Sequence, residues 1–143
     1  MANTTVTQIL NDGNENVVIR FVGNLTATPG AAIVLIDPAT LNFMGPFAGE
    51  LATSLRLKKV QFKVEDGLEI LLLWDATTPL SFETLEGRGT QDYKDFGGLQ
   101  NNAGAGKTGK VLWNYDLASA VAPPASGLDF AITLYFGKQR INV

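Results

Sequence analysis

The chain has 143 residues, which suits one domain over residues 1–143 that buries roughly 68–70% of its unfolded surface. Its formal net charge of −3 argues against nucleic-acid binding, which requires a basic excess to replace the counterions of the phosphates. The absence of His and Cys excludes a Ser-His-Asp triad and thiolate chemistry within one chain.

Charged residues make up 17% of the chain, against roughly 25% in ordinary globular domains. This low value fits either a polar surface rich in Thr and Asn or a surface partly covered by another chain. The longest apolar run, Ile70–Trp74, is far shorter than the ~20 residues that span a bilayer. The N-terminus also lacks the basic region and apolar core of a secretory signal, so we expect no membrane partner.

The pattern of apolar residues predicts strands at Thr4–Leu10 and Val17–Val22, and the short apolar run Ala32–Ile36 predicts a third. The link Asn11–Asn14 contains an Asp-Gly pair, which is typical of a hairpin turn. Asp37-Pro38 has the cap and first-turn chemistry of a helix start, but Gly45-Pro46 follows closely. We therefore expect one turn there and no full helix.

The longest predicted strand, Thr53–Glu65, changes parity at Lys58-Lys59, which indicates a β-bulge. With that bulge, one face of the strand carries five apolar residues: Leu55, Leu57, Val60, Phe62 and Val64. The other face holds four of the eleven basic residues: Arg56, Lys58, Lys59 and Lys63. This basic face fits either a charged contact with an acidic partner or a solvated strand face that discourages edge pairing.

A tight turn at Glu65–Gly67 leads into the strand Leu68–Trp74, which is apolar on both faces at its centre. Leu71 and Leu73 lie on the face opposite to Leu68, Ile70, Leu72 and Trp74. A loop of the same chain or a neighbouring subunit is expected to cover them. We interpret Leu71 and Leu73 as an oligomer contact in a homodimer or homotrimer.

Three further strands are predicted at Ser81–Glu86, Lys110–Asp116 and Leu128–Phe136, which brings the count to about eight. The pattern is that of an all-β, single-domain antiparallel β-sandwich or jelly roll, with a barrel as the alternative. Trp74, Trp113 and Tyr115 share the parity of the apolar residues of their strands, so we expect them in the core and not on a sugar-binding surface.

The segment Asp95–Gly109 is a long loop of Gly and Asn that lacks charge between Asp95 and Lys107. Such a Gly content costs folding entropy and usually persists because the shape of the loop is used. Its first half is our predicted interface with a partner: Phe96, Gly97, Gly98, Leu99, Gln100, Asn101 and Asn102. The ending Gly106-Lys107-Thr108 imitates a nucleotide-binding loop, but Asn101 replaces the first Gly and the residues that follow indicate a strand.

Other candidate chemistry is weak. The pairs Glu83/Glu86 and Asp92/Asp95 have the residue type of glycosidase carboxylates. Ligands of the kind that calcium takes are Asp66, Glu69, Asp75 or the Asp92/Asp95 pair. No known motif spacing supports either, and carboxylates near turns are usually solvated or capping. We therefore assign no catalytic residue, no cofactor and no metal, and expect a protein that is not an enzyme.

Two segments carry a resemblance to a known group of proteins: Leu73–Pro79, which reads L-W-D-A-T-T-P, and Asp95–Gly106, which reads D-F-G-G-L-Q-N-N-A-G-A-G. Together with Thr108-Gly109 and the turn Val64–Leu68, they resemble a family of small proteins encoded by tailed bacteriophages, including aquatic and cyanobacterial phages. The resemblance extends from about Asp37 to Phe136.

This resemblance implies a virion structural protein that is made in the host cytoplasm. Within that class it favours a capsid cement or decoration protein, which binds the major capsid protein at the capsid surface as a symmetric oligomer without a cofactor. A tail, adaptor or fibre-associated component is one alternative. A carbohydrate-binding module for host attachment is the other.

Overall fold

Nine strands and two short 3₁₀ turns form in the part of the chain that the computed structural model describes, which is residues 3–13, 16–27, 29–41, 54–117 and 127–139. The strands are β1 (Thr4–Asp12), β2 (Asn16–Leu25), β3 (Ile33–Ile36), β4 (Ser54–Val64), β5 (Leu68–Trp74), β6 (Leu80–Leu85), β7 (Arg88–Asp92), β8 (Val111–Leu117) and β9 (Leu128–Gln139). The 3₁₀ turns are Pro38–Thr40 and Lys94–Phe96.

The strands make two antiparallel sheets. The five-stranded sheet has the order β1-β2-β9-β4-β7, and the four-stranded sheet has the order β3-β8-β5-β6. Most connections cross from one sheet to the other, and within each sheet β1–β2 and β5–β6 are the hairpins between consecutive strands. The predicted all-β antiparallel sandwich is therefore confirmed, with nine strands in place of about eight.

The core lies between the two sheets and centres on three aromatic residues. The ring of Phe21 on β2 lies 4.7 Å from that of Trp113 on β8 and 4.9 Å from that of Phe130 on β9, measured between centroids. Trp74 on β5 is fully buried and stacks on Phe82. The predicted core positions of Trp74, Trp113 and Tyr115 are confirmed.

The predicted bulge in β4 is present. Leu57 pairs with Phe136 of β9 and Lys59 pairs with Tyr135, so Lys58 is the extra residue. The bulge places the apolar residues before and after it on the same face of the strand. Four of the five predicted apolar residues are buried, and the fifth, Phe62, packs against the core. A single inserted residue thus keeps one long strand amphipathic.

Strand β7 was not predicted from the sequence. It consists of Arg88-Gly89-Thr90-Gln91-Asp92, without a large apolar residue, and every one of these residues is exposed. Its backbone pairs with Lys59–Lys63 of β4 at the edge of the five-stranded sheet. An edge strand with both faces in solvent needs no apolar alternation, so its sequence gave no period-two signal.

The first turn signals behave as predicted. β1 and β2 form an antiparallel hairpin, and the Gly13 amide donates to the Asn16 carbonyl at 2.9 Å. The Asp37 side chain caps the turn Pro38–Thr40 by accepting from the Ala39 amide. Gly45-Pro46 lies outside the described residues. No helix in the described ranges is long and apolar enough to cross a membrane.

Candidate functional site

The Gly/Asn loop and the turn between β5 and β6 form one hydrogen-bonded unit, which we call the loop platform (residues 75–79 and 93–110). The Thr77 amide donates to the Ala105 carbonyl at 3.2 Å, and the Thr108 amide donates to the Asp75 carbonyl at 3.2 Å. The Thr108 hydroxyl also donates to the Asp75 carboxylate at 2.6 Å. The two segments that are most distinctive in the sequence therefore meet in space.

The Gly content of the platform has a packing reason at Gly106. This residue has a φ of +78°, and a Cβ atom there would lie 2.1 Å from the Thr77 hydroxyl oxygen. Any larger residue would push the loop away from the turn. Gly106 thus permits the close approach on which the hydrogen bonds of Thr77 and Thr108 depend.

The platform is also attached to strand β4. Leu99 and Leu57 exchange two backbone hydrogen bonds, at 2.8 and 3.2 Å, so the loop pairs with β4 along the same edge as β7, just past the end of β7. Gly98 comes just before this bridge with a φ of +101°, and a Cβ atom there would lie 3.0 Å from the Leu57 carbonyl oxygen. The Tyr93 amide adds a third bond by donating to the Lys58 carbonyl at 2.8 Å. The loop is therefore held in one shape.

A cleft of about 540 Å³ lies between the loop and the start of β6. Four of the seven predicted interface residues line it, and the opposite wall comes from β6: Gly98, Leu99, Gln100 and Asn102, then Leu80, Ser81 and Phe82. Leu80 is exposed at this wall. The β6 residues were missed in the sequence, because nothing along the chain shows that the residue after the L-W-D-A-T-T-P segment faces the loop.

Two predicted interface residues serve the loop itself. Asn101 is buried, and its side-chain oxygen accepts from the Ala103 amide at 3.0 Å. Its amide nitrogen has no hydrogen-bond partner among the described residues. Gly97 has a φ of +83° and ends the turn Lys94–Phe96. Asn101 and Gly97 therefore shape the loop, while Gln100 and Asn102 are exposed beside the cleft.

The imitation of a nucleotide-binding loop also has a structural role. A true phosphate loop opens a helix whose N-terminus binds the phosphates. Here Gly106-Lys107-Thr108 is followed by strand β8, as predicted, and the Thr108 hydroxyl is engaged with Asp75. The segment therefore joins the loop to the β5–β6 turn.

The basic residues of β4 do not form one patch. The Lys58 ammonium donates to the Asn16 side chain at 3.2 Å, and its stem lies over Gly137. The Lys59 ammonium lies 5.4 Å from the centre of the Tyr135 ring, within cation–π range. Both central lysines thus interact with neighbouring strands of their own sheet.

The remaining two basic residues lie near opposite ends of β4. Arg56 lies beside Gly97 of the loop platform, since a Cβ atom on that glycine would be 3.2 Å from the guanidinium. Lys63 lines a second cleft of about 600 Å³ whose walls include Arg88 and Asp129. At about 3.3 Å per residue the two positions are roughly 23 Å apart along the strand. Of the four basic residues of β4, Arg56 is therefore the one whose side chain lies beside the predicted interface.

Leu71 and Leu73 lie on the outer face of the four-stranded sheet and are half-buried. Leu73 pairs with Leu112 of β8, which is buried, and Leu112 pairs with Val34 of β3, which is exposed. Leu71 pairs with Asn114 and Thr84. This face therefore has an apolar row beside a polar one, and the oligomer contact at Leu71 and Leu73 remains a prediction.

Two of the candidate carboxylates, Glu83 and Asp92, form hydrogen bonds within the fold. The Tyr93 hydroxyl donates to Glu83, and burial, followed by this hydrogen bond and the Glu83 charge, raises the pKa of Tyr93 well above its usual value. Asp92 accepts from the Lys94 amide at 2.9 Å. Among the described residues, no three acidic side chains gather in a way that would hold a metal ion. Glu83 and Asp92 thus each accept a hydrogen bond from a residue of the segment Tyr93–Lys94.

Glu69 and Glu86 share a hydrogen bond on the outer surface. This bond and the negative charge of Glu86 raise the pKa of Glu69 above its ordinary value of 4.5. A raised pKa in the folded state means that the stability gained by protonation is present below about pH 4.5 and is lost as the pH rises through the folded value. The pair therefore repels at neutral pH.

We expect Glu69→Gln to raise the melting temperature at pH 7 by about 1–2 °C and to leave it unchanged at pH 4. The substitution removes the repulsion only where both carboxylates are ionised. Thermal unfolding followed by circular dichroism at the two pH values measures the difference. Asp66→Asn makes the same charge change at an exposed turn and serves as the control. An equal gain at both pH values would contradict the assignment.

Comparisons of the chain with protein-family models, with curated proteins and with solved structures gave no match.

Proposed function

We propose that this chain is a virion structural protein of a tailed phage and, within that class, a capsid cement protein that binds the major capsid protein. One observation carries the proposal. The two segments that resemble phage proteins, Leu73–Pro79 and Asp95–Gly106, largely coincide with the loop platform, at which they are hydrogen-bonded to each other. The residues that carry the resemblance therefore lie together in one part of the molecule.

The platform suits adhesion. Its bonds to Leu57 and Asp75 order the loop before a partner arrives, so little entropy is lost on binding. Between Phe96 and Gly106 it carries no charge, and it offers amide side chains beside an exposed Leu80. Many weak contacts of this kind, repeated by the symmetry of a shell, would oppose the pressure of packaged DNA. A protein that binds the assembled shell and not free subunits stabilises the shell by mass action.

We further infer that the sandwich is a jelly roll. Strands β2 to β9 divide into the orders β2-β9-β4-β7 and β3-β8-β5-β6, and β1 extends the first of these. This division supports two interlocked Greek keys, which is the strand arrangement of a jelly roll. In such an arrangement the connections gather at the two ends of the sandwich, which is the kind of place that the loop platform occupies.

The proposal is tested by co-sedimentation of the recombinant protein with expanded, undecorated heads of a phage whose genome encodes this chain. We expect saturable binding at hundreds of copies per head, and no binding to dissociated capsid subunits. Quantitative mass spectrometry of purified virions gives the copy number independently. Hundreds of copies support the shell, whereas a dozen or fewer would overturn cement in favour of a tail or adaptor component.

A glycan array separates the remaining alternative. If the protein bound glycans and did not bind phage heads, the result would favour attachment to a host carbohydrate over binding to the capsid. The candidate stacking residues argue against this outcome, because Trp74, Trp113 and Tyr115 are buried. A sugar platform needs exposed aromatic faces.

A further inference from the structure

Exposed apolar side chains are concentrated at one side of the sandwich. Six large apolar residues are exposed in the described part of the chain, and five of them lie on β1 and β3: Val6, Ile9, Leu10, Ile33 and Val34. Their exposed fractions run from 46% to 56%. The sixth, Leu80, begins β6 and lines the cleft beside the loop platform. Such clustering marks an interaction surface, since scattered apolar residues are ordinary.

Strands β1 and β3 border the same side of the molecule. Thr7 of β1 pairs with Phe21, and Ile33 of β3 pairs with Trp113. The rings of Phe21 and Trp113 pack against each other across the core at 4.7 Å. Thr7 and Ile33 are therefore the edge-strand neighbours of two residues that contact each other across the core, so both edge strands lie on the same side of the sandwich. We call this side, made of β1 and β3, the β1 margin.

The edge of β1 differs from the other three sheet edges. It is nine residues long, pairs only with β2 among the described strands, and carries no charge from Thr4 to Asn11. β7 has five residues with Arg88 and Asp92 at its ends, β3 has four residues, and β6 has six and is irregular opposite Leu72 and Leu73. Short, charged or irregular edges discourage strand addition, and β1 has only a register shift near Leu10.

The backbone of β1 is held in place at both ends. At the start, the Asn3 side chain accepts from the Thr26 and Ala27 amides at 2.9 and 3.0 Å and donates to the Tyr115 hydroxyl at 2.8 Å. At the end, Asp12 forms an ion pair with Lys138, whose side chain is buried. The edge of β1 that no described strand pairs with is therefore a preformed template for another strand.

We propose that β1 pairs edge to edge with β1 of a second copy of this chain, antiparallel about a twofold axis. In a contact of this symmetry the same edge is presented by both copies, with residue i facing residue j and j facing i, so an edge of like charges would repel itself. The uncharged edge of β1 meets this condition, and Asp12 at its end is already neutralised by Lys138. The pairing would continue the five-stranded sheet into one of ten strands and give hydrogen-bond partners to the backbone groups of β1 that point away from β2.

The contact should be reversible. A nine-residue edge buries less than the roughly 1,200–2,000 Å² of a standard interface, so we expect a dissociation constant on the order of micromolar. This inference does not rest on the virion proposal, because it concerns the free protein. Its test needs no phage heads, so the two proposals fail separately.

Sedimentation equilibrium over about 1–200 µM tests the pairing. Wild-type protein should shift from 15.3 kDa towards twice that mass. Val6→Lys/Gln8→Lys should remain monomeric, because both residues are exposed on one face of β1 and the lysines of the two copies would crowd together on that face of the paired strands. Thr90→Lys/Gln91→Lys adds the same charge to the opposite edge strand and should dimerise like wild type.

Amide exchange of the wild-type chain gives a second readout that needs no variant. Backbone amides of Thr4–Asn11 that point away from β2 should exchange more slowly at about 200 µM than at about 1 µM protein. A monomer over the whole range, an unchanged dimer in the Val6→Lys/Gln8→Lys variant, or exchange independent of concentration would each overturn the proposal. Dissociation by Leu71→Ser/Leu73→Ser alone would do so as well, since it would put the contact on the other sheet.

Discussion

Phe21→Ala is expected to lower the free energy of unfolding by about 3–5 kcal/mol, a large part of the 5–15 kcal/mol that holds a typical domain together. Phe21 is 1% exposed and contacts the rings of Trp113 and Phe130, which come from both sheets. Truncation leaves a cavity that the rigid strands cannot close. The loss in the free energy of unfolding therefore exceeds the transfer free energy of the removed atoms. Urea titration followed by Trp fluorescence measures it.

Phe62→Ala is the matched control. This substitution removes the same atoms from β4. The Phe62 side chain, however, is only partly buried and packs at the margin of the core beside Gly89. We expect about half the loss in the free energy of unfolding, because the Phe62 side chain buries less apolar area on folding and its truncation forms no closed cavity. Equal losses for the two variants would mean that the sheets are not held together through the Phe21 cluster.

Gly98→Ala is expected to weaken binding to capsids about tenfold without unfolding the sandwich, because about 1–3 kcal/mol of backbone strain falls on the loop. The added Cβ atom would lie 3.0 Å from the Leu57 carbonyl oxygen at a φ of +101°. The loop relieves this strain by breaking its bridge to Leu57. Co-sedimentation with expanded heads measures the affinity, and amide exchange at Leu99 reports the bridge.

Gly104→Ala places the same methyl group in the same loop, at a position with no atom within 4 Å. We expect wild-type binding and wild-type exchange from this variant. If Gly98→Ala freed the Leu99 amide while the affinity for heads stayed unchanged, the loop platform would not be the capsid contact.

The core of the fold was predictable from the sequence because its strands are amphipathic. In β4 and β9 the alternation of apolar residues identified the buried face, and the parity change at Lys58 identified the bulge. The same signal failed for β7, which is polar on both faces. Periodicity reports burial, so a strand that buries nothing leaves no pattern.

The candidate site was predictable only in part. The composition of the loop marked it as shaped, but its attachment to Asp75 and Leu57 joins positions 33 and 42 residues apart, as in the hydrogen bonds of Thr108 and Leu99. Such pairing follows from the order of the strands in the two sheets. The basic residues of β4 illustrate the same limit, since a shared strand face does not place Arg56 near Lys63.

The position of β9 has a consequence for biosynthesis. β9 lies between β2 and β4, with Val17 and Leu57 both paired to Phe136. A ribosome therefore releases β2 and β4 long before the strand that separates them has been translated. Until then the two strands expose apolar faces and could pair with each other wrongly, and such non-local closure is slow. This sheet can therefore close only after Leu128–Gln139 has been translated, and nascent chains that stall before Leu128 keep the apolar faces of β2 and β4 exposed.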